Sequence, residues 1–258
     1  EIDPRNNQWQ RDAAYFLDRI GDEYRKVGMK ERAIAAYEES LAVWRHLAKI
    51  DRRNPQLQLN ISMCLDKLGE VKLGAADGMG ALAAYEESLT IRRHLSKGDP
   101  SNPSRQLNVA GSLEKIGDLK LADGDAQGAL AAYREMLSID RALVTIDGSN
   151  SEWQRNMSLS LERFGDVMLA VGDTVAAVAA YEQTVALPYH LQARPRVLVL
   201  GAGGGADVLL ARMFQASSID AVELDPRMVE LVRSRFGDFA GDVLAPPVRV
   251  HVADARGF

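Results

Sequence analysis

The sequence predicts a mainly α-helical chain: an α-solenoid of helical hairpins, followed by an α/β segment that holds part of an open sheet. Three observations carry this. The stretch Leu17-Asp18-Arg19-Ile20-Gly21-Asp22 returns as Leu65-Asp66-Lys67-Leu68-Gly69-Glu70, Leu113-Glu114-Lys115-Ile116-Gly117-Asp118 and Leu161-Glu162-Arg163-Phe164-Gly165-Asp166, each time 48 residues on. The pairs Ala36-Tyr37, Ala84-Tyr85, Ala132-Tyr133 and Ala180-Tyr181 keep the same step, sixteen residues after the glycine. Lysine disappears after Lys120, and a Val-rich run opens at Val197. A fixed period of this length marks a repeat array, and the change of composition marks a second domain. The division falls at a repeat array over 1–187 and a second domain over 188–258.

Within a repeat, Leu17, Ile20, Tyr24 and Val27 recur at helical spacing, Gly28 breaks the run, and Ala33, Ala36, Tyr37, Leu41 and Trp44 resume it. That pattern is helix, turn, helix. The break recurs at Gly124 and Gly172, whereas repeat two has Ala76 followed by Asp77-Gly78, which predicts a longer turn there. Gly21 and Ala33 are small enough to sit where two helices cross closely. Each unit closes in a turn-rich tail, such as Ile50-Asp51-Arg52-Arg53-Asn54, and Pro55 and Pro103 then open the next unit. Glu1-Ile2-Asp3-Pro4-Arg5-Asn6 reads as the same tail, which suggests an array cut from a longer one.

These residues resemble the tetratricopeptide repeat. Leu17, Ile20-Gly21, Tyr24, Gly28, Ala33 and Tyr37 match its pattern, fourfold, with both helices lengthened as in long-period bacterial versions. The resemblance implies that the first helix of each pair lines a concave surface where a protein or peptide binds. That face would carry Asp18 and Asp22, Asp66 and Glu70, Glu114 and Asp118, and Glu162 and Asp166, two acids one turn apart in every unit. Two readings stand open. The acids form a groove for a basic peptide, or Arg19, Lys67, Lys115 and Arg163 pair with them or with neighbouring repeats and leave a solvated face.

Beyond residue 188 the order is strand, glycine turn, helix, strand, acid, helix, strand, acid. Arg196 to Leu200 suits a buried parallel strand, and Gly201-Ala202-Gly203-Gly204-Gly205-Ala206 leads into a helix over 207–214. Ile219 to Val222 is a second strand ending at Glu223, placed to accept hydrogen bonds from ribose hydroxyls. Asp225-Pro226 starts a second helix, with Asp225 either an N-cap or a ligand contact. Val248 to Val252 is a third strand, followed by Asp254. Together these imply a Rossmann-like nucleotide-binding fold.

The run Val197 to Phe258 resembles class I S-adenosylmethionine-dependent transferases, within them the spermidine synthase-like branch, through Val197 to Gly205, Val222 to Glu230 and Val250 to Arg256. Leu187 to Leu191 looks like the lead-in to its first strand. By that resemblance Gly201, Gly203 and Gly205 flank the sulfonium and amino-acid end of S-adenosylmethionine or its decarboxylated form, Glu223 meets the ribose, and Asp254 meets the adenine. NAD is the less favoured ligand. Gly204 stands where spermidine synthases carry an Asp, which puts polyamine synthesis in doubt. The run stops after its third strand, so the half that acts on an acceptor is not in it. The favoured expectation is therefore a protein-interaction scaffold with an incomplete adenosyl-ligand half-domain and no catalytic residue. The alternative is a fragment of a methyl- or aminopropyl-transferase. The exposed half-sheet allows an oligomer.

Composition sets outer limits. The net charge of −5 lies wholly before residue 188, since the remainder balances eight Arg against eight acids. Nothing in it suggests capture of nucleic acid, and no apolar run reaches the roughly 20 residues that span a bilayer. The single cysteine, Cys64, excludes an internal disulfide and fits a cytoplasmic setting. It takes the place of Phe16, Ser112 and Ser160 in the other repeats, as a packed side chain. His46 and His94 share a repeat position that Ala142 breaks, which argues against a metal site.

Overall fold

A computed structural model describes residues 7–191, 196–200, 202, 206–234 and 244–254. They form two compact units, Glu1–Ala180 and Tyr181–Phe258. The first holds four helical hairpins: α1 (Asn7–Lys26) with α2 (Lys30–Ile50), α3 (Pro55–Gly74) with α4 (Gly78–Gly98), α5 (Pro103–Ala122) with α6 (Ala126–Ile146), and α7 (Ser151–Ala170) with the start of α8 (Thr174–Leu191), whose residues from Tyr181 on belong to the second unit. Each even helix α2, α4 and α6 also packs on the odd helix that follows it.

Local chemistry fixes each helix end. Asn54, Asn102 and Asn150 accept first-turn amides of α3, α5 and α7, with Pro55 and Pro103 next to the cap. Asp77 and Asp125 do the same for α4 and α6. The hairpin turn places Gly28, Gly124 and Gly172 at φ of 78°, 84° and 86°, and Ala76 at 63°. The predicted longer turn in repeat two is therefore corrected. α4 begins at the same repeat position as α2 and α6, because Ala76 takes the left-handed conformation that glycine takes elsewhere.

The tyrosine of each Ala-Tyr pair is the keystone. A Cβ on Gly21, Gly69 or Gly117 would lie 2.5 Å from the ring of Tyr37, Tyr85 or Tyr133, so the odd helix needs its glycine for the ring to lie against its backbone. Ser40 Oγ donates to Ala14 O at 3.0 Å and Ser88 Oγ to Ser62 O at 3.1 Å, tying the hairpin together one helical turn further on. Trp44, Leu47, Leu57, Ile61, Leu65 and Leu68 continue the core from hairpin one into hairpin two. On α1 the corresponding face is more open: Phe16 is 61% exposed where Cys64 is 1%.

The second unit holds β1 (Arg196–Leu200), α9 (Ala206–Met213), β2 (Ser218–Glu223), α10 (Pro226–Ser234) and β3 (Val248–Val252). The strands form a parallel sheet of order β1-β2-β3, with Leu198 beside Asp220 and Asp220 beside Arg249. Val199, Val208, Ala211, Ile219, Ala221 and Val232 form its core. The helix α8 runs through the lead-in Leu187–Leu191 to its end.

Candidate functional site

The eight acids of the odd helices are held by the array itself in most repeats. Trp44 Nε1 donates to Asp18 at 3.2 Å, and the Tyr37 hydroxyl donates to Asp22 at 2.7 Å. Arg92 donates to Asp66 at 2.5 Å, and the Tyr133 hydroxyl to Asp118 at 2.6 Å. The bases that follow the first acid in sequence reach the preceding repeat. Lys67 donates to Asp22 at 2.7 Å, Lys115 to Glu70 at 2.8 Å, and Arg163 lies 3.5 Å from Asp118. Asp166 also interacts with a neighbouring group, while Glu162 is exposed. Burial pushes the Asp22 carboxyl up, but the bonds from Lys67 and Tyr37 and the charges of Lys67 and Arg25 outweigh it and hold it low. Burial, then the Asp118 charge, push Glu114 up against Arg163 and Lys115.

Between successive odd helices lie two cavities. One, of about 150 Å³, is lined by Tyr15, Asp18, Arg19, Asn60, Met63, Cys64 and Lys67. The other, of about 240 Å³, joins the starts of α3 and α5 to the end of α4, and Arg92, Arg105, Asn108 and Ser104 supply much of its polar wall. Sequence reasoning missed this second cavity. Its signal is a break in the repeat: Trp44, Arg92 and Asp140 occupy one repeat position, and Leu57, Arg105 and Trp153 another. Where Trp44 fills the first junction, Tyr15 packs edge-on against it at 4.8 Å.

Cys64 is buried, donates to Tyr37 O at 3.3 Å, and has its thiol pushed up by burial, then by Asp18, as befits a packed side chain. His46 and His94 are exposed, and among the described residues no cluster could hold a metal ion. No described helix is long and apolar enough to cross a membrane.

In the second unit Glu223 ends β2 and Asp254 follows β3, with Ala253 N donating to Glu223 O at 3.1 Å. The two acids thus share the carboxyl edge of the sheet, where open α/β folds bind ligands. Asp225 caps α10: its Oδ1 accepts Arg227 N at 2.9 Å and its Oδ2 the Arg227 guanidinium at 2.7 Å, bonds that hold its carboxyl low. Glu223 accepts Asp225 N at 3.0 Å. Gly201, Gly203 and Gly205 lie outside the described residues. A pairing not foreseen is Asp220 with Arg249 at 2.6 Å and His251 at 2.9 Å, which follows from the register of β2 and β3.

Neither a protein-family model nor a curated protein matches this chain. Among solved structures it is similar to BtubC (BKLC) from P. vanneervenii, with a TM-score of 0.55 and 17% identity over 69% of this chain. It spans 64% of that chain. It is also similar to a Podosopora anserina kinesin light chain-type protein of nearly identical TPR-like repeats, with a TM-score of 0.52 and 15% identity over 91% of this chain and 92% of that one. At these identities the likeness establishes the fold, a TPR-like helical repeat array.

Proposed function

We propose that the array is a scaffold that holds a segment of another protein along the side lined by α1, α3, α5 and α7. The observation that carries this reading is the pair of consecutive cavities between α1 and α3 and between α3 and α5, which offers an extended chain two successive footholds. The internal bonding of the acids supports their role as braces between repeats and leaves recognition to the clefts. Solvent-exposed ion pairs contribute only about 0–1 kcal/mol each, so the braces fix register more than they add stability. The test is selection from a displayed random-peptide library on the whole chain, followed by hydrogen exchange with the enriched peptides bound. Protection of α3 and α5 is expected, and protection confined to the even helices would overturn the reading. Enrichment of Lys and Arg, lost on Asp118→Lys, would instead favour the basic-peptide groove.

For the second unit we propose an adenosyl-ligand site, on the placement of Glu223 and Asp254 at one edge of the sheet. Calorimetric titration of the whole chain with S-adenosylmethionine, its decarboxylated form and NAD tests it. Binding that Glu223→Ala removes is expected, and binding that survives the substitution counts against the site.

A further inference from the structure

We propose that the outer face of α1 is a self-association surface, on which α1 of a second copy of this chain packs antiparallel about a two-fold axis. The proposal stands apart from the scaffold reading and uses a different side of the array.

A stripe of side chains is the first argument. Trp9, Ala13, Phe16, Ile20, Glu23 and Val27 follow one another in alternating steps of four and three, the spacing of a coiled-coil seam. All six are exposed, and the four large apolar ones lie between 44% and 67% open. The packing of α1 into its own hairpin uses another side, on which Ala14 and Gly21 are buried.

The second argument is that this face departs from those on which the repeats stack. At the position of Phe16 the other odd helices carry Cys64, Ser112 and Ser160, all fully buried. Cys64 shows why a small residue is needed there, since its thiol reaches Tyr37 O of the preceding even helix at 3.3 Å. A phenyl ring in that place would hold the helices apart. At the position of Glu23 the same helices carry Val71, Leu119 and Val167, so stacking would also cover a carboxylate. The face of α1 therefore suits a different occupant from a further hairpin of the array.

Charge names that occupant. Arg19 stands at the position of Lys67, Lys115 and Arg163, each of which reaches an acid of the preceding odd helix. Arg19 meets no acid among the described residues. Asp12 stands where the other repeats have Asn60, Asn108 and Asn156, so the acid at this position belongs to α1 alone. Both are exposed and flank the stripe on one side, one heptad or about 10 Å apart along the helix. A two-fold axis between them sets Asp12 of each copy against Arg19 of the other, making the same pair twice. A parallel arrangement would bring like charges to one level. The antiparallel register also lays Phe16 against Ala13, a large side chain on a small one, and Trp9 against Ile20, while Glu23 falls beyond the overlap.

Sedimentation equilibrium of the whole chain over roughly 1 to 200 µM tests the proposal, because a self-associating chain changes mass with concentration. A dimer is expected at the upper end. Phe16→Ser, which installs the residue of α5 and α7, should weaken it at least tenfold with the far-ultraviolet circular dichroism unchanged. Asp12→Arg and Arg19→Asp should each weaken it as well, by setting like charges across the axis. An equimolar mixture of those two variants should dimerise as the parent does, because the mixed pair restores both contacts. A monomer at every concentration would overturn the proposal and leave the stripe to a helix of another protein. A dimer undiminished by Phe16→Ser would place the contact elsewhere, and a mixture no tighter than its components would overturn the antiparallel pairing.

Discussion

Two glycines of α5, six residues apart, should respond to the same substitution with opposite signs. Gly111 has nothing within 4 Å of the place a Cβ would occupy, whereas at Gly117 that atom would lie 2.5 Å from Tyr133 Cε1 and 2.8 Å from Cζ. Alanine in a helix interior is favoured over glycine by about 1 kcal/mol, so Gly111→Ala should stabilise the array by about that amount. Gly117→Ala receives the same gain but must displace the ring, and overpacking costs about 1–3 kcal/mol. The ring cannot swing aside cheaply, because Tyr133 is fully buried and its hydroxyl is tied to Asp118 at 2.6 Å. The cost therefore falls toward the upper end, and the variants should differ by about 2–3 kcal/mol. Urea unfolding followed by far-ultraviolet circular dichroism reads the difference directly. If Gly117→Ala matched Gly111→Ala in stability, the glycine-tyrosine contact would not be the keystone of the hairpin.

Other perturbations test separate parts of the fold. Ala76→Gly relieves a left-handed alanine at φ 63° and should raise the thermal midpoint, by about 0.5–1 kcal/mol of stability. Arg92→Met leaves the buried Asp66 carboxylate with only Lys115, 3.8 Å away, and should cost about 3 kcal/mol in the same urea assay, far more than loss of the exposed Arg93–Glu135 pair. Asp140 is buried beside Ser160, at the repeat position of Arg92, with one oxygen unbonded. Burial pushes its carboxyl up, the Ser160 hydroxyl bond pulls it down, and Glu114 pushes it up again, with a net rise. The folded chain thus holds this proton more tightly than the unfolded one, so stability from this group is full below the ordinary carboxylate range near ~4 and falls as pH rises through the raised value. Asp140→Asn should be more stable than the parent at neutral pH and converge with it in acid; parallel pH profiles would refute this.

The hairpins were legible because their signals are local. Asn-Pro at 54–55 and 102–103, glycine at 28, 124 and 172, and the Gly-Tyr spacing each specify a cap, a turn or a crossing within one unit. Ala76 misled because a left-handed alanine leaves no mark in a sequence. The partners of the acids were illegible for another reason. Lys67 lies next to Asp66 in sequence, but helix stacking sets it on Asp22, 45 residues away. The second cavity could have been found as the place where Trp gives way to Arg92 and Arg105, a reading that needs the stacked geometry to show which positions share a junction. In the second unit the strands followed from their apolar runs and bounding glycine or proline, while the pairing of Asp220 with Arg249 and His251 needed the register.

The account turns on whether the acids of the odd helices brace neighbouring repeats. A double-mutant cycle on Asp22→Asn and Lys67→Met, read by urea unfolding of the whole chain, measures this most directly. Both side chains are about a quarter exposed, at 25% and 29%, and bond at 2.7 Å. The account predicts a favourable coupling of about 0.5–1 kcal/mol, with the double variant less destabilised than the sum of the single ones. Strictly additive effects would contradict it and return these acids to the role of a free, partner-facing groove.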